Sequence, residues 1–149
     1  MPDLPRTARL ALPLLAVAQA QKEVTHNEAL ALLDALVQPV VEDGPQSDPP
    51  ADPAPGQCWI VGAAATDGWA GAAAGTIALW TAGGWRFVAP GEGMRTLRLS
   101  DGSWLRFGGG AWTEPATVAS PAGGATVDSE ARAAIDALIL ALSGHGLLI

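Results

Sequence analysis

The stretch Leu79-Trp80-Thr81-Ala82-Gly83-Gly84-Trp85-Arg86-Phe87 decides the fold class. Apolar and aromatic residues flank Ala82-Gly83-Gly84 as two short strands, and the paired glycines supply the positive φ that a tight hairpin turn needs. A second unit echoes it: Leu97-Arg98-Leu99-Ser100-Asp101-Gly102-Ser103-Trp104-Leu105-Arg106-Phe107 is again strand, turn and strand, with a Trp soon after the turn. The echo fits a meander of hairpins better than a true repeat.

Working outward, the short apolar runs Cys58 to Val61, Thr76 to Trp80, Trp85 to Val88, Thr96 to Leu99 and Trp104 to Phe107 lie between turn signals at Asp67-Gly68, Ala82-Gly83-Gly84, Pro90-Gly91, Asp101-Gly102 and Gly108-Gly109-Gly110. All six tryptophans fall in this region. Thr96 to Leu99 alternates apolar and polar, and Arg106 interrupts the apolar residues of its run, so one face is expected buried and one wet. The prediction is an α+β chain with three parts. Residues 1–56 hold an N-terminal helix and a Pro-rich arm, 57–114 a small antiparallel Trp/Gly-rich β module, and 115–149 a linker and a C-terminal helix.

Upstream of the module, Thr25 and Glu28 have the spacing of a capping box, which predicts a helix start there. Ala29, Leu30, Leu32, Leu33, Leu36 and Val37 continue it as an apolar stripe, and Pro39 stops it. Glu42 to Gly56, dense in Pro, Asp and Gly, reads as a linker or an extended arm running over a surface, its own or a neighbour's. Downstream, Pro115 to Gly124 is pliable. Asp128 or Ser129 caps a second helix whose stripe is Ala131, Ala134, Ile135, Leu138, Ile139 and Leu142, ending at Gly144 as a left-handed cap. The tail, Leu147-Leu148-Ile149, is apolar to the end and is expected to be buried, against the β module or another copy of the chain.

Composition limits the function classes. Of 149 residues, 49% are hydrophobic but only 5% aromatic, so alanine inflates the apolar total and the core is modest. A sheet this small, with open edges, gains if a helix or a second subunit covers it. The net charge of −7 argues against nucleic acid and anionic membrane as partners. The apolar run Leu10 to Ala18 imitates a secretory signal, but it is short, is broken by Pro13 and is far from membrane-spanning length. Cys58 stands alone, which excludes an intrachain disulfide and reads as a small buried hydrophobe, not a nucleophile. His26 and His145 sit near helix ends, where an imidazole serves as a hydrogen-bonding group. Without a nucleophile elbow, phosphate loop, zinc pair or calcium loop, the reading is no enzyme, no cofactor and no metal.

Two sets of candidate residues remain. The polar cluster Gln19, Gln21, Lys22, Asn27 and Asp34 is too rich for a helix that only fills a core. With Leu147, Leu148 and Ile149 it is expected to make assembly contacts, its amide, ammonium and carboxylate groups bonding another backbone. Most tryptophans are expected to be structural. Trp69 and Trp112, flanked by turn residues, are expected to be partly exposed and are the candidate glycan-binding positions, since an indole face accepts a sugar ring.

Leu12-Pro13, Gln19-Ala20-Gln21-Lys22, Thr25-His26-Asn27-Glu28-Ala29-Leu30, Leu33-Asp34-Ala35-Leu36-Val37, Gly56-Gln57-Cys58-Trp59-Ile60-Val61, Gly68-Trp69-Ala70-Gly71 and Gly84-Trp85-Arg86-Phe87-Val88-Ala89-Pro90-Gly91-Glu92-Gly93 carry a resemblance. Together they resemble a phage-associated family of uncharacterised domains from prophages and gene transfer agents of alphaproteobacteria. The resemblance implies a virion structural protein, linked to head spikes or tail fibres that contact the host surface, assembled in the cytoplasm and carried on the particle. It brings no catalytic residues. For a chain this short the expectation is a base or adaptor that forms a homo-oligomer, trimer or pentamer, with capsid, baseplate or fibre proteins as partners. The alternative is a glycan-binding module contacting capsule or lipopolysaccharide directly.

Overall fold

Cys58-Trp59-Ile60-Val61 is buried at all four positions, which an alternating half-wet strand cannot achieve. In the computed structural model, which describes residues 5–15 and 22–148, these residues form an inner strand covered on both sides. The elements in chain order are α1 (Lys22–Leu36), β1 (Val40–Val41), β2 (Asp43–Gln46), β3 (Cys58–Val61), a 3-10 turn (Asp67–Trp69), β4 (Ile77–Thr81), β5 (Gly84–Val88), β6 (Arg95–Arg98), β7 (Trp104–Gly108), β8 (Ala111–Thr113) and α2 (Ser129–Gly144). The strands make two four-stranded sheets, ordered β1-β6-β7-β8 and β2-β3-β4-β5. The chain is α+β, as expected.

The two expected hairpins are present. Strand β4 pairs antiparallel with β5, Trp80 opposite Trp85 and Thr81 opposite Gly84. Strand β6 pairs antiparallel with β7, Leu97 opposite Trp104. Between them the two sheets enclose a core of Val41, Cys58, Ile60, Ile77, Leu79 and Leu105, with Ala35 of α1 packed on it. On the far side of β3, Trp59, Val61 and Ala78 meet Trp69 from the 3-10 turn. There Trp85 lies edge-on to Trp59, Trp69 and Trp80, with ring centroids 5.8, 5.3 and 4.9 Å away. Such edge-on pairs add to the large area each ring buries.

Three strands depart from the expectation. The stretch read as a linker or surface arm from Glu42 onward begins as sheet: β1 just before it pairs parallel with β6 and β2 pairs parallel with β3, so one short run, Val40–Gln46, joins both sheets. Between the two strands the Glu42 amide donates to Cys58 O at 2.7 Å and Glu42 O accepts from the Ser100 amide at 3.1 Å. Arg98 of β6 donates to Gly44 O at 3.1 Å and forms ion pairs with Asp101 and, at 2.7 Å, with Glu114. Gly44 is required here, because its φ is +123° and a Cβ would lie 2.5 Å from Ile60 O; only a residue without a side chain lets β2 approach β3 this closely. The third strand, β8, is a short edge that follows the Gly108-Gly109-Gly110 turn.

The helices also differ in detail. Helix α1 extends N-terminally to Lys22, so Thr25 lies inside it, exposed, and the capping box does not form. Its buried residues are Asp34 and Ala35, whereas Leu33 and Val37 are half exposed. In α2 the Asp128 cap is as expected, its carboxylate accepting from the Ala131 amide at 2.9 Å. The left-handed residue is Gly146, not Gly144: its amide donates to Ser143 O, and the Leu147 amide donates to Leu142 O.

Burial pushes the Cys58 thiol up to about 12, against the opposing field of Arg9. Alkylation of the native chain at pH 8 is therefore expected to be slower than in urea by on the order of a thousandfold, because the thiolate is the reactive form. Trp69→Ala is expected to lower stability by about 3–5 kcal/mol, read as a lower urea midpoint. Trp69→Phe costs less, since the indole N–H is buried without a hydrogen-bond partner.

Candidate functional site

The polar cluster on α1 is built around a single carboxylate. Asp34 is buried and accepts three hydrogen bonds from the N-terminal segment: from Thr7 Oγ1 at 2.8 Å, the Arg9 amide at 2.8 Å and the Leu10 amide at 2.5 Å. Bonds to charged acceptors are the stronger kind, and a buried carboxylate requires them. Thr7 passes the network on, its Oγ1 accepting from the Leu12 amide at 2.9 Å. The Thr7 amide donates to Leu12 O and the Leu14 amide to Pro5 O, closing residues 5–14 into a loop.

Arg9 performs a second task. Its guanidinium donates to the carbonyls of Asp34, Ala35 and Gln38 at 2.7, 3.1 and 2.9 Å. These lie at the C-terminal end of α1, where helix carbonyls lack intrahelical partners and the dipole favours a cation. Asn27, two turns earlier, grips the backbone of Leu15 with both ends of its amide, Oδ1 accepting at 2.9 Å and Nδ2 donating at 3.0 Å.

Asn27 and Asp34 therefore bond a backbone, as expected of them, but it is the backbone of their own chain. Within the single chain the N-terminal loop takes up their hydrogen bonds. Lys22 opens α1, while Gln19, Gln21 and Ile149 lie outside the described residues. Leu147 is half exposed and Leu148 partly buried, so the tail is only partly covered within one chain. Glu28 reaches across to Arg86 of β5 at 3.1 Å. Below this bridge a cavity of about 390 Å³ opens between the N-terminal loop, α1 and the β4–β5 turn, with Leu14, Val24, Ala31, Leu32 and Trp80 among its walls.

The tryptophans divide differently from the expectation. Trp69 is fully buried. The turn residues around it bend the chain inward over β3, so the indole is a core piece with no face for a ligand. Trp112 is half-buried: its Nε1 donates to Gly75 O at 2.7 Å and its ring stands edge-on to Phe107. The exposed tryptophan is Trp104. Alternation on β7 carried that signal, since the period that puts Arg106 on the wet face puts Trp104 beside it.

Among the described residues no three His, Cys, Asp or Glu side chains gather as a metal-binding group. His26 is exposed on α1, and His145 is exposed at the end of α2, where its backbone amide donates to Leu142 O. Helix α2 buries none of its side chains. Ile135, Leu138, Leu140 and Leu142 are 43, 62, 75 and 40% exposed, and no helix is long and apolar enough to cross a membrane among the described residues.

Compared with known families, residues 26–113 match the one described as "Protein of unknown function (DUF2793)". The match runs from His26 in α1 to Thr113, the last residue of β8, and so takes in both sheets but neither the N-terminal loop nor α2. No curated protein matches the chain.

Asp34→Ala is expected to cost about 1–3 kcal/mol, the usual cost of leaving buried donors unpaired. The loop should come free first: trypsin is expected to cut after Arg9 faster in the variant than in the parent chain, as followed by mass spectrometry.

Proposed function

The chain belongs to this family, and on that premise we propose that it is a structural, non-catalytic subunit of a phage-like particle. In this reading it is a homo-oligomeric base or adaptor of a head spike or tail fibre that takes part in host-surface attachment. The resemblance carried by the Gln19 to Val37 signature and the Gly84 to Gly93 run supports the setting.

The observation that carries the oligomer is α2. A helix with a broad apolar stripe ordinarily buries it, yet in the single chain α2 buries no side chain. Ala131, Ile135, Leu138 and Leu142 follow the four-three-four spacing of a coiled-coil seam. Ala134 and Ile139 widen it on both flanks, and Leu140 lies outside it. A two-helix seam covers only the narrow stripe, so this breadth favours a closed ring of three or five copies over a pair. Burying Ile135, Leu138 and Leu142 is worth roughly 1.5–3 kcal/mol each before entropy is counted.

Light scattering on the purified full chain tests the reading. The expected mass is a small multiple of 15.1 kDa, and Leu138→Asp is expected to reduce it to one copy without altering the tryptophan fluorescence of the β sheets. A parent chain with the mass of a single copy would overturn the oligomer, and with it the adaptor role.

A further inference from the structure

The outer face of the β1-β6-β7-β8 sheet places two arginines where cross-strand pairing disfavours them. Arg95 and Arg106 are directly opposite each other in the β6–β7 ladder, and Thr113 is opposite Arg106 on β8. Thr96 and Leu105 point into the core, so by alternation Arg95, Trp104 and Arg106 all stand on the outer face. Like charges directly opposite one another destabilise a sheet. Among the described residues neither arginine has an ion pair within 4 Å: Glu114 is engaged by Arg98, and Glu92, whose carboxylate lies near the Arg106 guanidinium over Gly108, accepts from the Gly109 amide. The chain has only 8 Lys and Arg against 15 Asp and Glu, which makes the juxtaposition more unusual.

Beside the pair a depression of about 230 Å³ is walled by Trp104, Thr113, Glu114, Pro115 and Leu147; the Glu114 carboxylate in this wall is held by Arg98 at 2.7 Å, which leaves the two arginines as its cationic side. It is smaller than ordinary small-molecule pockets of about 300–1,000 Å³ and so suits one ring at a time. Its chemistry is specific. Two planar guanidinium forks grip a carboxylate, the indole of Trp104, 37% exposed, offers a flat apolar surface with a polar edge, and the Thr113 hydroxyl, which donates to Arg106 O at 3.0 Å, retains lone pairs that can accept from a sugar hydroxyl.

We propose that Arg95, Arg106 and Trp104 form a binding site for a carboxylate-bearing sugar ring, as in a uronic-acid polysaccharide. The carboxylate lies between the two guanidinium groups and relieves their repulsion, and the ring rests against Trp104. The net charge of −7 repels a polyanion as a whole, so attraction is confined to this patch. Leu147 ties the site to the end of α2, and an oligomer repeats it once per copy, which raises the avidity for a repeating polymer. The site itself does not require the oligomer.

The test is titration of the full chain at low ionic strength with a short galacturonate oligomer, and in parallel with dextran, polyglutamate and inorganic phosphate. Galacturonate is expected to bind and dextran not. Arg95→Gln with Arg106→Gln is expected to weaken galacturonate by about tenfold or more, as loss of both charged partners demands. Trp104→Ala is expected to weaken it by about fivefold, the weight of one aromatic contact. Arg95→Gln alone should leave the melting temperature unchanged or higher, since it removes a repulsion, so lost binding is not lost folding. Leu138→Asp should leave the affinity per site unchanged, which separates sugar binding from oligomer formation. Absence of galacturonate binding, or binding that the double variant does not weaken, overturns the proposal. Equal binding of polyglutamate or phosphate, unaffected by Trp104→Ala, overturns the sugar in favour of a general anion site.

Discussion

Everything in this fold depends on β3 being closed on both faces. Cys58 and Ile60 point into the layer between the sheets, Trp59 and Val61 point the other way, and all four are buried. A chain with 5% aromatic residues and much alanine lacks the bulk for two large cores, so it makes two small ones that share a strand. On one side the second sheet and Ala35 of α1 supply the cover; on the other a single fully buried indole, Trp69, does so with Trp85 edge-on beside it. This arrangement explains why the tryptophans concentrate near β3, β4 and β5: large rings fill a thin layer with few residues.

The same economy explains the polar helix. Because β3 and its neighbours require so little of α1, only Asp34 and Ala35 are buried on it, and most of its leucines remain partly or half exposed. The face that a larger protein would make apolar instead carries Asn27 and Asp34, which hold the N-terminal loop through backbone amides and carbonyls. Arg9 completes the exchange by satisfying the end of the helix that holds it. The N-terminal segment is thus fixed largely by directional bonds.

Much of the fold was legible in the sequence, and the rest was hidden for identifiable reasons. Cys58 to Val61 and the hairpins at Gly83-Gly84 and Asp101-Gly102 could be read because turn residues punctuate apolar runs. Strands β1 and β2 could not. Val40–Val41 is too short to show a period, and Asp43-Gly44-Pro45-Gln46 has the composition of a turn; its pairing comes from Glu42 and Arg98 bridging the sheets, a tertiary effect. Helix α1 begins earlier than its capping pattern implied, and Glu28, instead of reaching back to Thr25, pairs with Arg86 on a distant strand. At the candidate sites, residue type pointed to Asn27 and Asp34 correctly as hydrogen-bonding centres but could not say which backbone they bond. Glycine neighbours suggested exposure for Trp69, yet the same flexibility folds it inward, whereas the plain two-residue period of β7 exposes Trp104.

What the sheets and the N-terminal loop do not accommodate is α2, sixteen residues joined to the body mainly through Gly146, whose carbonyl accepts from the Trp104 amide. An isolated helix of that length is only marginally stable in water, and this one exposes its leucines. Its stability is therefore expected to come from other copies. Hydrogen exchange at the α2 amides, followed across a range of protein concentrations, tests this most directly. Strong protection that falls on dilution, while β3 and β4 remain protected, is the expected result. Rapid exchange throughout α2 at every concentration would show that no copy of the chain covers the helix.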